Sequence, residues 1–435
     1  MVVKGFEGDC RVRGHQLVTM AILTAALASG ALVRIASAAE GPTIFVSNVD
    51  DLYAAVNDAA NAGAAVVLAP GVYTLSTKDA GGVPRPNGGR LHLQTDMSLF
   101  GVVGERSAVV IDGSLLLGSL FTVPWGRTGI INVGLGSNAI EWLTIAGNPA
   151  AAAAIETDLV ATDEDGTPIP TTIRIAHVVA GGRLMAGGTL DIEKASARGV
   201  DIRNIGTAGG AGRRIDAEIV DSEVFGGVEG IRFVNLNAAH YSEINVAMRG
   251  NRSHTNRLGC IFENNRSNHA SISVRSNGDR FEDNGLGCQI GGGLAVTPGQ
   301  ANFNNVTFDA RGSAFVDNTL TDFSKLNATG PLFTDLGGLL VAGGDLVPID
   351  TTSAVSGNTV VIRLWGSKIA GNQVFDFEAF GARSPTSLNA TDTHVLNNQV
   401  LIELHGVSRF IEVSAFDSKL PDLTGTNTVT VVRKP

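Results

Sequence analysis

The chain has 435 residues, with 54 glycines, 6% aromatic side chains, three cysteines and a formal net charge of −10. The acidic balance excludes the basic stripe expected of a nucleic-acid-binding protein. It also opposes unassisted binding of polyuronate chains, so a local cation or basic patch would have to overcome the repulsion. Abundant glycine, few aromatics and little helical apolar spacing exclude a helix bundle and favour turns and thin β coils.

Residues 1–39 read as a secretory signal peptide. Lys4, Arg11 and Arg13 precede an apolar run from Leu17 to Leu32, and the small residues Ala36-Ser37-Ala38-Ala39 follow. That order predicts cleavage after Ala38 or Ala39 and a location that is secreted, periplasmic or at the cell surface. No other apolar run is long enough to span a membrane.

Ile44-Phe45-Val46 starts a strand. Val49 to Ala62 then reads as an amphipathic helix, with Asp50 and Asp51 in its first turn and Leu52, Ala55 and Val56 on one face. A stretch reading AVVLAPGVYTL, residues 65–75, comes next. This helix and strand resemble the entry segment of right-handed parallel β-helix proteins of the pectin-lyase-like superfamily. The resemblance implies a helix that caps the open end of the solenoid, over about residues 43–75. It also implies activity on polysaccharide by lyase, hydrolase or epimerase chemistry. The catalytic sets of that superfamily do not carry over. The chain has no Asn-Thr-Asp triplet followed by paired aspartates, no Arg-x-Pro-x-x-Arg segment and no Asp-Pro-His-Glu-like motif.

Further strands are expected at Leu91-His92-Leu93, Met97 to Gly101 and Ala108 to Gly113. Three segments break the rhythm: Asn148 to Pro170, Gly206 to Arg214, and Ala328 to Ser356. The first holds Asp158, Asp163, Glu164 and Asp165, hard oxygen ligands of the kind that hold Ca2+. Solvated acidic loop residues would look the same. The last is glycine-rich and apolar, suited to covering a groove or meeting another chain.

The strongest signal is a repeat. Gly199-Val200-Asp201-Ile202-Arg203-Asn204, Gly230-Ile231-Arg232-Phe233-Val234-Asn235, Gly259-Cys260-Ile261-Phe262-Glu263-Asn264 and Gly287-Cys288-Gln289-Ile290-Gly291-Gly292 follow one another at steps of 31, 29 and 28 residues. Each copy alternates apolar and polar positions, and a six-residue strand cannot bury its apolar face alone. Equivalent strands must therefore stack and pool those faces. The expected fold is all-β, a right-handed parallel β-helix of roughly ten to twelve coils with an N-terminal capping helix, forming a single domain over 40–435. A second strand line runs through Asn245–Asn251, Ser273–Gly278, Val306–Gly312 and Val361–Gly366. It is followed by corners at Asn256, Asn284, Asn318 and Asn372, where asparagine tolerates a sharp turn and can bond from coil to coil.

Outward side chains of a solenoid form vertical lines. In register, one line is Asp201, Arg232, Ile261 and Gln289, and its neighbour is Arg203, Val234, Glu263 and Gly291. Asp201, Arg203, Arg232 and Glu263 thus fall on one patch. Carboxylates beside arginines suit acid–base work on a glycan or binding of an acidic sugar. An ion-pair network on an exposed strip is the plainer reading. Asp322 with Lys325, and Asp376 with Glu378, offer further charges. His240, His254 and His269 lie near Tyr241, Arg252 and Arg266 but share no register position, and they read as solvated corner residues. Cys260 and Cys288 occupy equivalent places in adjacent coils. A bridge is geometrically conceivable there, and a pair of buried free thiols is the reading favoured. The functional expectation is a protein that engages extracellular polysaccharide, as a lyase or glycoside hydrolase if catalytic. The alternative is a non-catalytic structural or adhesive surface protein.

Overall fold

The computed structural model describes residues 41–116, 128–148, 151–157, 169–191, 196–205, 212–236, 241–296, 300–323, 326, 336–347, 355–383, 395–405 and 426–434. Segment 1–39, read above as a signal peptide, and the aspartates at 158, 163 and 165 lie outside them. Among the described residues the three large sheets are parallel, one of twelve strands and two of nine. The chain visits them in turn. Glu243–Arg249 lies in the twelve-stranded sheet, Arg252–His254 in one nine-stranded sheet and Leu258–Asn265 in the other, before Ser271–Asn277 returns to the first. This is the right-handed parallel β-helix that the repeats predict.

Strand alternation sends Ile231, Phe233, Cys260, Phe262, Cys288 and Ile290 into one continuous core. Phe233 and Phe262 stack with ring centroids 5.3 Å apart, because in-register strands put like side chains directly above one another. The corners are held by amides. Asn256 Nδ2 donates to Asn284 Oδ1 at 3.2 Å, Asn284 to Asn318 at 3.1 Å and Asn318 to Asn372 at 2.8 Å. The glycines that open the later repeats, Gly230, Gly259 and Gly287, make room for this ladder. A Cβ on Gly259 would stand 2.7 Å from Asn284 Nδ2 and 2.5 Å from the Gly287 carbonyl.

The capping helix spans Val49–Asn57, shorter than the 49–62 expected, with a 3-10 turn at Ala59–Asn61 completing the segment. Asn48 caps it by accepting from the Asp51 amide at 2.9 Å, and Leu52, Tyr53, Ala55 and Val56 are its buried face.

Two of the apparent interruptions contain core strands. Ala153–Thr157 lies inside 148–170, and Gly337–Val347 inside 328–356, and both join the nine-stranded sheet that carries the repeats. Alanine and glycine runs hide strand periodicity, because small side chains make no apolar contrast between faces. The favoured reading of the cysteines is corrected as well. Cys260 and Cys288 form a disulfide across adjacent coils with Cα atoms 4.6 Å apart, a spacing that in-register parallel strands supply without backbone movement. Among the described residues, no helix is long and apolar enough to cross a membrane.

Candidate charged site on the nine-stranded sheet

The pairing register is the one the repeats specify. Asp201 lies beside Arg232, Arg232 beside Ile261 and Ile261 beside Gln289, while Arg203, Val234, Glu263 and Gly291 form the neighbouring line. The structure extends both ends of the first line. Glu156 pairs with Asp201, and Leu340 and Glu378 follow Gln289. One further line, immediately before the repeat glycines, brings Arg198 beside Glu229.

These side chains meet as one network. Asp201 Oδ2 is 3.7 Å from Arg198 Nε, 3.6 Å from Arg203 Nη1 and 3.7 Å from Arg232 Nη1. Arg232 also reaches Glu229 Oε2 and Glu263 Oε1, each at 3.5 Å. Arg203 contacts the Glu156 carboxylate, and Arg198 contacts that of Glu229. The Thr128 hydroxyl donates to Glu156 at 3.0 Å and the Asn265 side-chain amide to Glu263 at 3.4 Å.

The network is not an exposed strip. Asp201 is 0% exposed, Arg203 1%, Arg232 5% and Glu263 5%. Burial sets the electrostatics, since a low-dielectric surrounding disfavours the charged form of each group. Desolvation raises the Asp201 carboxyl above its ordinary value, even with Arg232 and Arg198 pulling the other way. Burial lowers the Arg203 guanidinium to about 9, with the nearby Arg232 charge acting in the same direction, so Arg203 remains a cation at neutral pH. Glu229 shows the opposite balance. Burial pushes it up, but Arg198 and Arg232 together hold it below its usual range.

Hydrogen-bonding capacity is left unspent at the centre. Both oxygens of Asp201, Nε of Arg203, and Nε and Nη1 of Arg232 are buried without a hydrogen-bond partner. Buried polar atoms are nearly always paired. Here several unpaired ones gather about a carboxylate ringed by three guanidiniums.

Sequence reasoning brought together Asp201, Arg203, Arg232 and Glu263 and missed Glu156, Arg198 and Glu229. Arg198 and Glu229 were legible, each being the residue before a repeat glycine. Glu156 was not, because its strand follows a run of alanines. The other candidates lie apart from one another. His254 stacks on Phe225 with centroids 5.2 Å apart and meets Glu223 at 3.1 Å. His269 stacks between Tyr241 and Phe303. Asp376 ends the asparagine ladder by accepting from Asn372 at 2.7 Å. His240 and Lys325 fall outside the described residues. Among those residues, no group of three or more His, Cys, Asp or Glu side chains is placed to hold a metal ion.

Fold and site together define a parallel β-helix protein with a buried, mixed-charge cluster on the outward side of one nine-stranded sheet. No family model and no curated protein matches the sequence. Among solved structures, the chain is similar to a mannuronan C-5 epimerase A-module from Azotobacter vinelandii, at 18% identity over 90% of this chain and 100% of that one, with a TM-score of 0.36. It is also similar to a mannuronic acid-specific polysaccharide family 6 lyase from human gut microbiota, at 11% identity over 91% and 92% of the two chains, with a TM-score of 0.26.

Proposed function

We propose that the chain is a secreted or surface β-helix protein that engages extracellular polysaccharide at this cluster, with β-elimination or hydrolysis of a glycan as its chemistry. The observation that carries the reading is the unspent hydrogen-bonding capacity of Asp201, Arg203 and Arg232. In this assignment Arg203 and Arg232 hold anionic or hydroxyl groups of the sugar. Asp201, whose carboxyl is raised by burial, donates or accepts the proton, and Glu263 orients Arg232. A carboxyl raised by burial is better fitted to proton transfer than one that stays fully ionised.

The test is incubation of the full chain with acidic and neutral polysaccharides, with and without Ca2+, following unsaturated-product absorbance and new reducing ends together. Absorbance with new ends identifies a lyase, and new ends alone a hydrolase. Asp201→Asn and Glu263→Gln, which keep side-chain volume, should then abolish turnover while the variants stay folded. A second reading has its own observation. Glu156, Asp201, Arg203, Arg232 and Glu263 are buried, Arg198 and Glu229 half-buried, and most are paired, as in a non-catalytic structural or adhesive rod. Silence in both readouts from a folded sample would select that reading.

A further inference from the structure

The outward face of the twelve-stranded sheet carries a line of a different kind. Register places Arg249, Asn277, Arg311, Trp365, His405 and Lys434 one above another in six successive strands. The line contains no carboxylate. Arg249, Arg311 and Lys434 are exposed, and the Trp365 side chain is open to solvent at 37%. The indole is held rigidly. The His405 ring stacks on it at 3.5 Å, and the Arg311 guanidinium lies 5.5 Å from its centroid.

The adjoining line adds Arg275 and Arg363, with Asp309 and Glu403 between and beyond them. Those two carboxylates are already engaged. Asp309 meets Arg311 at 3.2 Å, and Glu403 meets Arg363 at 3.0 Å and Lys434 at 3.1 Å. Arg249 and Arg275 have no carboxylate partner within ion-pair distance among the described residues. They sit on neighbouring strands, two positions apart.

A chain of net charge −10 that keeps one straight, solvent-facing line free of acids has a local answer to its own repulsion of anions. We infer that this line is a docking track for an acidic polysaccharide lying along the helix axis. Cations repeat along that axis at multiples of the strand spacing of about 4.8 Å, and they face a polymer with one carboxylate per sugar. The rigid indole edge adds an apolar contact for the sugar rings between them. The sparse cations, diluted by Asn277 and Trp365, match a glycan of moderate charge density better than nucleic acid, whose phosphate backbone calls for a dense basic stripe. The inference does not rest on the cluster of the nine-stranded sheet, which lies on another side of the solenoid.

The test is native affinity electrophoresis of the full chain through gels containing polygalacturonate, neutral dextran or single-stranded DNA. Polygalacturonate alone should retard the protein, and retardation should fade between about 0.05 and about 0.5 M salt as screening shortens the reach of surface charge. R249E/R275E should weaken binding about tenfold or more through lost charge complementarity, with the melting temperature unchanged. R249Q/R275Q repeats the comparison if the reversal perturbs folding. Wild-type affinity in both variants would overturn the inference. So would absence of retardation by polygalacturonate, or retardation by DNA in its place. Turnover, assayed separately, judges the nine-stranded face and is not decided by either result.

Discussion

The two charged faces of this solenoid are built by the same rule and end in opposite states. On the nine-stranded sheet, Asp201, Arg203 and Arg232 stack in register and are shut away from water. On the twelve-stranded sheet, Arg214 and Asp216 face the same side of one strand, two positions apart as Asp201 and Arg203 are, and their side chains remain 59% and 38% exposed. Strand period and coil register are alike in both. The energetic meaning is not, because an ion pair in water offers little net gain, whereas a buried one becomes expensive to break once the desolvation cost has been met.

The largest effect that tests this contrast is Arg232→Ala. It leaves Asp201, Glu229 and Glu263 short of a buried counter-charge, and denaturant unfolding should register a loss of about 3–5 kcal/mol. A loss near zero would show that water reaches the cluster, and the contrast would collapse.

Beneath the same sheet, the Cys260–Cys288 disulfide closes a loop spanning 28 residues. Replacing both cysteines with serine should cost about 2–4 kcal/mol. Reduction of the wild type should bring it to a similar midpoint, and a midpoint indifferent to reductant would remove the bridge from the account.

A third buried charge sharpens the comparison through pH. Asp279 sits in a corner and accepts from the Asn251 amide at 2.8 Å and the Ser276 hydroxyl at 2.6 Å, yet burial raises its carboxyl from 3.8 to about 6. A raised acid binds its proton more tightly in the folded state than in the unfolded one. Its contribution to stability is therefore fully present below about pH 4 and is lost as pH rises through about 6. Asp279→Asn removes that dependence, so stability relative to wild type should move in the variant's favour by about 2–3 kcal/mol between pH 4 and pH 7. Parallel stability curves for the two proteins would contradict the assignment.

The smallest effect belongs to the open face. Arg214→Ala breaks a 2.8 Å contact with Asp216 and should leave the melting temperature where it was, because solvent replaces what the pair supplied. A clear drop would mean that this face, too, is covered in solution.

Much of the architecture was legible in the residues themselves. The repeat glycines fixed which positions stack, so the alignment of Asp201 with Arg232 and of Arg203 with Glu263 followed from spacing alone. The corner asparagines announced the ladder from Asn256 to Asn372, since few other side chains combine tolerance of a tight turn with both a donor and an acceptor. The apolar alternation fixed the inward line through Phe233 and Phe262.

Three things were decided only by the assembled structure. Glu156 joins the cluster because Ala153–Thr157 pairs with Arg198–Ile205, a relation invisible in an alanine run. Cys260 and Cys288 are bridged, which depends on the distance between neighbouring coils as much as on their equivalence. And the charges of one sheet are buried while those of another are open. Alternation along a strand says which side a residue faces. Whether that side meets water depends on what the rest of the chain places over it, and that is a property of the folded solid.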